Sequence, residues 1–227
     1  MEKTKVGTLI LSDIHLGLKL SRSRQAYDVI ESHSFDRLIL AGDIFENLNF
    51  HRLDKSQWGF LSMIRNLTNP KYGIEVVLVA GNHDRLLLTL QNLLGINVVT
   101  EYEWREKGKK FLVLHGDRFD RVVDRNRIFT YLMNLIYNIS QWVDRGYVSQ
   151  YLKKGSKIRH RAMPRVEKGV IEYAKKKGAD VVVCGHTHLR KNNIVDSVHY
   201  LNTGCWTEKP SSYVTITGGV PELHEVY

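Results

Sequence analysis

Five times along this chain a short apolar run ends in a cluster of Asp, Asn and His: Asp13-Ile14-His15, Gly42-Asp43, Gly81-Asn82-His83-Asp84, His115-Gly116-Asp117 and Gly185-His186-Thr187-His188. The runs before them, Val6 to Ser12, Arg37 to Ala41, Glu75 to Ala80, Phe111 to Leu114 and Val181 to Cys184, read as buried strands. Helix-compatible stretches lie between the first of them, at Leu20 to Ser32, Lys55 to Leu67 and Arg85 to Leu94. Strands alternating with helices predict an α/β layered fold, in which ligands bind in the loops at the carboxyl ends of strands. The five clusters can therefore converge on one site.

A single Asp or His at a strand end is most often a capping or hydrogen-bonding residue. The set is more specific. Carboxylate, imidazole and amide side chains supply mixed oxygen and nitrogen donors suited to a first-row divalent ion, and no cysteine stands in the clusters to favour a softer site. Seven candidate ligands are also too many for one ion. Asp117 fits a turn or a supporting role better than ligation.

The remaining sequence bounds what surrounds such a site. With 227 residues, 43% of them hydrophobic, the chain can bury a sizeable core as one domain spanning residues 1–227. After Cys184 strands follow one another without helices, at Asn192 to Asp196, Val198 to Asn202, Tyr213 to Thr217 and Glu222 to Val226, which predicts antiparallel pairing at the end of the chain. From Phe119 to Met163 helix-compatible sequence runs on without a strand signal, and we take it as a helical insertion or cap. Pro164 then suits the first turn of a helix reaching Lys177. In the insertion Ile128, Leu132, Leu135, Ile136, Ile139, Trp142 and Val143 form a helical stripe that Phe129, Tyr131, Met133 and Tyr137 widen. A helix packed on two sides explains such a stripe; so does a partly exposed surface that touches lipid.

Charge singles out the same region. The chain carries a formal net charge of +9, and between Arg121 and Lys177 fourteen Lys and Arg face four acidic residues, so the rest is near neutral. A basic segment beside apolar residues fits nucleic acid, a phosphorylated substrate or membrane head groups, or is simply a solvated face. Cys184 and Cys205 are too few for a disulfide framework and read as free thiols in a reducing compartment, Cys205 filling space near the predicted site. The apolar run at the N-terminus is too short for a signal peptide and nothing is long enough to span a bilayer, so the expected location is cytoplasmic, with the inner face of the membrane as a possible surface.

Asp13-x-His15, Gly42-Asp43, Gly81-Asn82-His83-Asp84, His115 and Gly185-His186-x-His188, in this order, resemble the signature of calcineurin-like metallophosphoesterases, over Ile10 to about Glu208. The resemblance implies a β-sandwich flanked by helices with a dinuclear metal centre at one edge. By its logic Asp13, His15 and His188 bind one metal, Asn82, His115 and His186 the other, and Asp43 bridges both. His83 takes the place of the catalytic histidine, oriented by Asp84. Manganese is the first expectation by resemblance, with Fe, Zn, Ni, Co or Mg as alternatives. The chemistry stands without the family: two cations roughly 3.5 to 4 Å apart lower the pKa of a bridging water and neutralise phosphoryl oxygens. A protonated His83 can stabilise phosphate charge or protonate the leaving oxygen.

The insertion before the His186 cluster and the segment Asn202-Thr203-Gly204-Cys205-Trp206-Thr207-Glu208 resemble the UDP-2,3-diacylglucosamine hydrolase group. That group cleaves the pyrophosphate of a nucleotide-linked lipid to UMP and lipid X, holding the acyl chains under a helical cap. The chain departs from it at His83, where arginine is common, and at Cys205, where relatives with this segment often have aspartate. Lys153, Lys154, Lys157 and Arg161 are then candidates for the anionic part of the substrate. Two other readings stay open: a nuclease or cyclic phosphodiesterase whose basic insertion binds a phosphate backbone, and a non-catalytic scaffold that binds protein. Oligomeric state is not legible.

Overall fold

The computed structural model describes residues 2–47, 49–82, 91, 94–120 and 163–227. His83, Asp84, Lys153, Lys154, Lys157 and Arg161 lie outside them, as do nearly all of the Arg85 to Leu94 helix and the 119–163 insertion.

Two sheets face each other. The first has six strands in the order β13-β12-β2-β4-β5-β6, with β2 Thr8–Leu11, β4 Arg37–Leu40, β5 Glu75–Val79, β6 Asn97–Val99, β12 Ser211–Thr217 and β13 Val220–Val226. The second has five in the order β10-β11-β9-β8-β7, with β7 Glu101–Glu106, β8 Lys109–Leu114, β9 Val181–Cys184, β10 Lys191–Val195 and β11 Val198–Asn202. A two-residue parallel pair, β1 Thr4–Lys5 with β3 His33–Ser34, stands apart from both. Helices α1 Ser23–Ser32 and α2 Lys55–Leu67 cover the first sheet. A helix over residues 163–177 covers the second.

The pleat explains why the strands read as unbroken apolar runs. Successive residues of a strand face opposite sides, and here both sides are buried. Ile10, Ile39, Val77 and Val79 of the first sheet meet Phe111, Val113, Val181, Val183 and Leu201 of the second between the sheets. Their neighbours Leu9, Leu11, Leu38, Leu40, Val76 and Leu78 point outward to Ala26, Val29 and Ile30 of α1 and Phe60, Leu61 and Ile64 of α2. Leu112, Leu114, Val182 and Tyr200 do the same toward Val166, Val170, Ile171 and Ala174. Each such side chain contributes roughly 1.5 to 3 kcal/mol by leaving water. The result is a β-sandwich flanked by helices, as the family resemblance implies, with the α/β layering that the strand and helix pattern predicts.

Local signals fix the element ends. Asp54 caps α2 by accepting the N–H of Gln57 at 2.9 Å, and Phe60, Leu61 and Ile64 then fall on the buried stripe. Helix α1 starts at Ser23 instead of Leu20, because Arg22 is held elsewhere: its N–H donates to the Trp206 carbonyl at 2.7 Å and its guanidinium to the Val226 carbonyl at 2.9 Å. The four strands expected after Cys184 are present, with β10 antiparallel to β11 and β12 to β13. Gly218 and Gly219, both at positive φ, turn the second hairpin in two residues.

Strands β6 and β7 were not expected from the sequence. In β7 Tyr102 and Trp104 pack on the core between the sheets, Trp104 stacking on Phe111 at 4.8 Å. Glu101 and Glu103 take the other face, where they pair with Lys177, Arg118 and Lys110. An edge strand buries one face only, so charges hid its alternation.

Candidate metal centre

Strands β2, β4 and β5 are mutually parallel, and so are β8, β9 and β11. The residue after each strand therefore lies on one rim of its sheet, and contacts between the sheets bring the two rims together. His115, after β8, donates Nδ1–H to the Ala41 carbonyl after β4 at 3.0 Å. Asp13, after β2, accepts the His186 N–H on Oδ2 at 3.1 Å. The hydroxyls of Ser12 and Thr203 lie 2.5 Å apart.

Three glycines make this closeness feasible. A Cβ on Gly42 would overlap the His115 ring, one on Gly81 the Asp43 carboxylate, and one on Gly185 the Asp13 carboxylate and Ser12. Backbone strain marks the same residues. Asp13, His15, Asp43, His186 and His188 have φ between 50° and 68°, five of the eight non-glycine residues at positive φ among those described. Each such residue costs on the order of 1 to 3 kcal/mol and is held only by its surroundings.

Six of the seven expected ligands fall into two groups. Asp13, His15 and His188 each offer an atom within 4.8 Å of the others, and Asp43, His115 and His186 do the same. In the first, His188 Nε2 lies 3.2 Å from Asp13 Oδ1 and 3.2 Å from His15 Nε2. In the second, His115 Nε2 lies 3.2 Å from Asp43 Oδ2. Ligands bonded at about 2.1 Å to one ion sit roughly 3.0 to 3.4 Å apart, so these separations fit a shared cation. The seventh, Asn82, follows Gly81, whose backbone packs on Asp43 and His115.

Buried atoms without partners test the fit. Asp13 Oδ1, Asn82 Oδ1 and His115 Nε2 are out of contact with solvent and have no hydrogen-bond partner among the described residues. A buried polar atom left so costs about 1 to 3 kcal/mol; of seven among the described residues, these three belong to ligand candidates and cluster at one rim, the others being on Arg22, Trp104, Asn193 and Trp206. With Nδ1–H given to Ala41, the Nε2 of His115 is left with a lone pair. His15 turns Nδ1 to Glu46 Oε2 at 3.0 Å and Nε2 to His188 Nε2 at 3.2 Å, so its Nε2 faces the first ligand group. The residues fit two divalent cations.

Electrostatics point the same way. Burial opposes charge on His188, yet the Asp13 carboxylate and the Cys205 sulfur outweigh it and lift its pKa to about 10. Burial likewise opposes charge on His115, and Asp43, Asp13 and Asp117 raise its pKa well above the ordinary value. Burial pushes Asp13 up, while His188 close by and the charge of His115 bring it below the usual range. The site is built to concentrate positive charge, which bound cations supply in place of protons.

The family model of the calcineurin-like phosphoesterase superfamily domain matches residues 7–218. The chain belongs to this superfamily. Calcineurin-like phosphoesterases are hydrolases, and the two ligand groups agree with the metal dependence of that superfamily. Among solved structures, an archaeal phosphodiesterase matches with a TM-score of 0.55 at 18% identity, covering 96% of this chain and 98% of its own. Vps29 of Entamoeba histolytica matches at 15% identity with a TM-score of 0.49, covering 96% and 97%. A phosphoesterase-like protein of Streptococcus pneumoniae matches at 15% identity with a TM-score of 0.43, covering 97% of each chain. No curated protein matches significantly.

Several residues of this calcineurin-like site escaped the sequence reading. Glu46, three positions after Asp43, holds His15. The Ser12 hydroxyl donates to Asp13 Oδ2. Asn202 Nδ2 donates to the Gly185 carbonyl at 2.7 Å, fixing the loop that carries His186. Asp120 Oδ2 lies 3.2 Å from His186 Nε2. Cys205 is 3% exposed, with its sulfur 3.3 Å from Thr207 Oγ1. Spacing gave no signal for Asn202 and Asp120, which reach the site only through folding. Asp117 opens a short helical turn, the role expected of it.

Proposed function

We propose that the chain hydrolyses a pyrophosphate or phosphodiester bond with two divalent cations, manganese first among them. Asp13, His15 and His188 hold one cation, Asn82, His115 and His186 the other, and Asp43 reaches both. The observation that carries this reading is the pair of ligand groups with their partnerless buried atoms, Asp13 Oδ1, Asn82 Oδ1 and His115 Nε2. When bound, the cations supply an activated water and neutralise the phosphoryl oxygens. The chain's own residues aim the ligands: Glu46 holds His15, the Ala41 carbonyl holds His115, and Ser12 with the His186 N–H holds Asp13. His83, steadied by Asp84, is assigned to the leaving oxygen on the sequence alone.

For the substrate we propose a nucleotide-linked lipid of the UDP-2,3-diacylglucosamine kind, cleaved to UMP and lipid X, with Lys153, Lys154, Lys157 and Arg161 facing its anionic part. Support comes from the sequence: the basic and apolar insertion and the Asn202 to Glu208 segment. This places the protein in the cytoplasm at the inner face of the membrane. The test is manganese-supplemented hydrolysis of UDP-2,3-diacylglucosamine in detergent beside a chromogenic phosphodiester, with Asp43→Ala as control. Release of UMP supports the lipid substrate. Turnover of the chromogenic ester alone keeps the two-metal hydrolase and removes the lipid assignment. A nuclease would instead show cleavage of nucleic acid that weakens steeply with salt.

A further inference from the structure

Ser12 follows β2 and Thr203 follows β11, one strand in each sheet, and both residues are fully buried. Their hydroxyl oxygens lie 2.5 Å apart. Ser12 gives its single hydroxyl hydrogen to Asp13 Oδ2, and an ionised carboxylate only accepts. Thr203 is therefore the donor in its contact with Ser12. The other acceptor within its reach, the Cys184 carbonyl at 3.3 Å, is farther away and already takes the Thr203 N–H at 2.9 Å. The hydrogen bonds thus run in one direction, from Thr203 through Ser12 to Asp13.

Thr203 is itself held in place. Its N–H is bound to Cys184, its carbonyl accepts the Ser212 hydroxyl at 2.6 Å, and the next N–H, of Gly204, donates to Asn202 Oδ1 at 3.0 Å. Asp13 needs such an anchor, because it sits at φ 51°, a conformation kept only by its surroundings. Oδ2 is taken by Ser12 and by the His186 N–H at 3.1 Å, while Oδ1 lies 3.2 Å from His188 Nε2 within the first ligand group. A hydroxyl that accepts a hydrogen bond becomes a stronger donor in its turn. We propose that Thr203 is a positioning residue of Asp13, its hydroxyl holding Ser12 so that Ser12 fixes Oδ2 and Oδ1 stays turned to the first ligand group.

The inference rests on the two-cation reading, and its test separates the two. Manganese binding to the metal-free protein is measured by calorimetry for the unaltered chain, Thr203→Val, Thr203→Ser, Ser12→Ala and the double variant of Ser12→Ala with Thr203→Val. The melting temperature of each metal-free form is measured beside it. Thr203→Val keeps the shape and removes the donor, and is expected to weaken one of two manganese sites by about 10-fold. Thr203→Ser keeps the hydroxyl and is expected to recover most of that loss. Because Thr203 acts through Ser12, Thr203→Val is expected to add nothing to the loss already present in Ser12→Ala. A hydroxyl that only stabilises the fold predicts a lower melting temperature in Thr203→Val with unchanged affinity, and that result overturns the inference. Equal losses in the valine and serine variants overturn it too, as do losses that add in the double variant. Where Thr203→Val does not fold, Ser12→Ala decides, unchanged affinity there overturning the inference. Absence of manganese binding by the unaltered chain overturns the two-cation reading and this inference with it.

Discussion

Asp13 accepts the backbone N–H of His186 on Oδ2 at 3.1 Å, so a ligand of one group positions the loop bearing a ligand of the other. The two oxygens face different ways, Oδ2 taking Ser12 and His186 while Oδ1 lies 3.2 Å from His188 Nε2. Asp13→Ala is therefore expected to weaken manganese binding at both sites, each by at least ~10-fold. Calorimetry on the metal-free protein reads this directly. One unaffected site would show the two groups to be independent.

Glu46 should behave as a support and not as a ligand. Glu46→Gln is expected to leave the fold intact and to cost about 10- to 100-fold in manganese affinity at a single site, by loosening the His15 ring. Circular dichroism with metal titration checks both halves of the statement.

Two glycine substitutions should act in opposite directions. In Gly185→Ala the new methyl meets the Asp13 carboxylate and Ser12, with an expected loss of about 2 kcal/mol in stability and impaired metal binding. Gly59 lies within α2 with open space around the missing Cβ, so Gly59→Ala is expected to gain roughly 0.5 to 1 kcal/mol. Urea unfolding of the two variants compares them.

Glu101 ties β7 to the chain after His115 and to the 163–177 helix. Burial pushes its carboxyl up, but Lys177, Arg118 at 2.7 Å and Tyr173 at 2.9 Å outweigh that and hold its pKa at about 2, against an ordinary 4.5. A depressed carboxyl pKa contributes stability that is complete above 4.5 and is lost as pH falls toward 2. Because Arg118 and Lys177 are over a third exposed, we expect about 1 kcal/mol instead of the full value. Glu101→Gln should lower stability by that amount at neutral pH, with the difference closing between pH 4.5 and 2 in denaturant titrations.

The sequence by itself determined the layered fold and the ligand clusters. Val and Ile runs such as Val181–Cys184 bury both faces, and this leaves few alternatives to an interior strand. Ligand types clustered where such runs stop are legible for the same reason: the strand end fixes their place to within a residue or two. Tertiary structure alone decided which groups aim them. Asp13 and His186 are 173 positions apart, and Ser12 and Thr203 are 191 apart. No local pattern records that pairing, because it arises when two sheets with separately determined strands dock rim to rim.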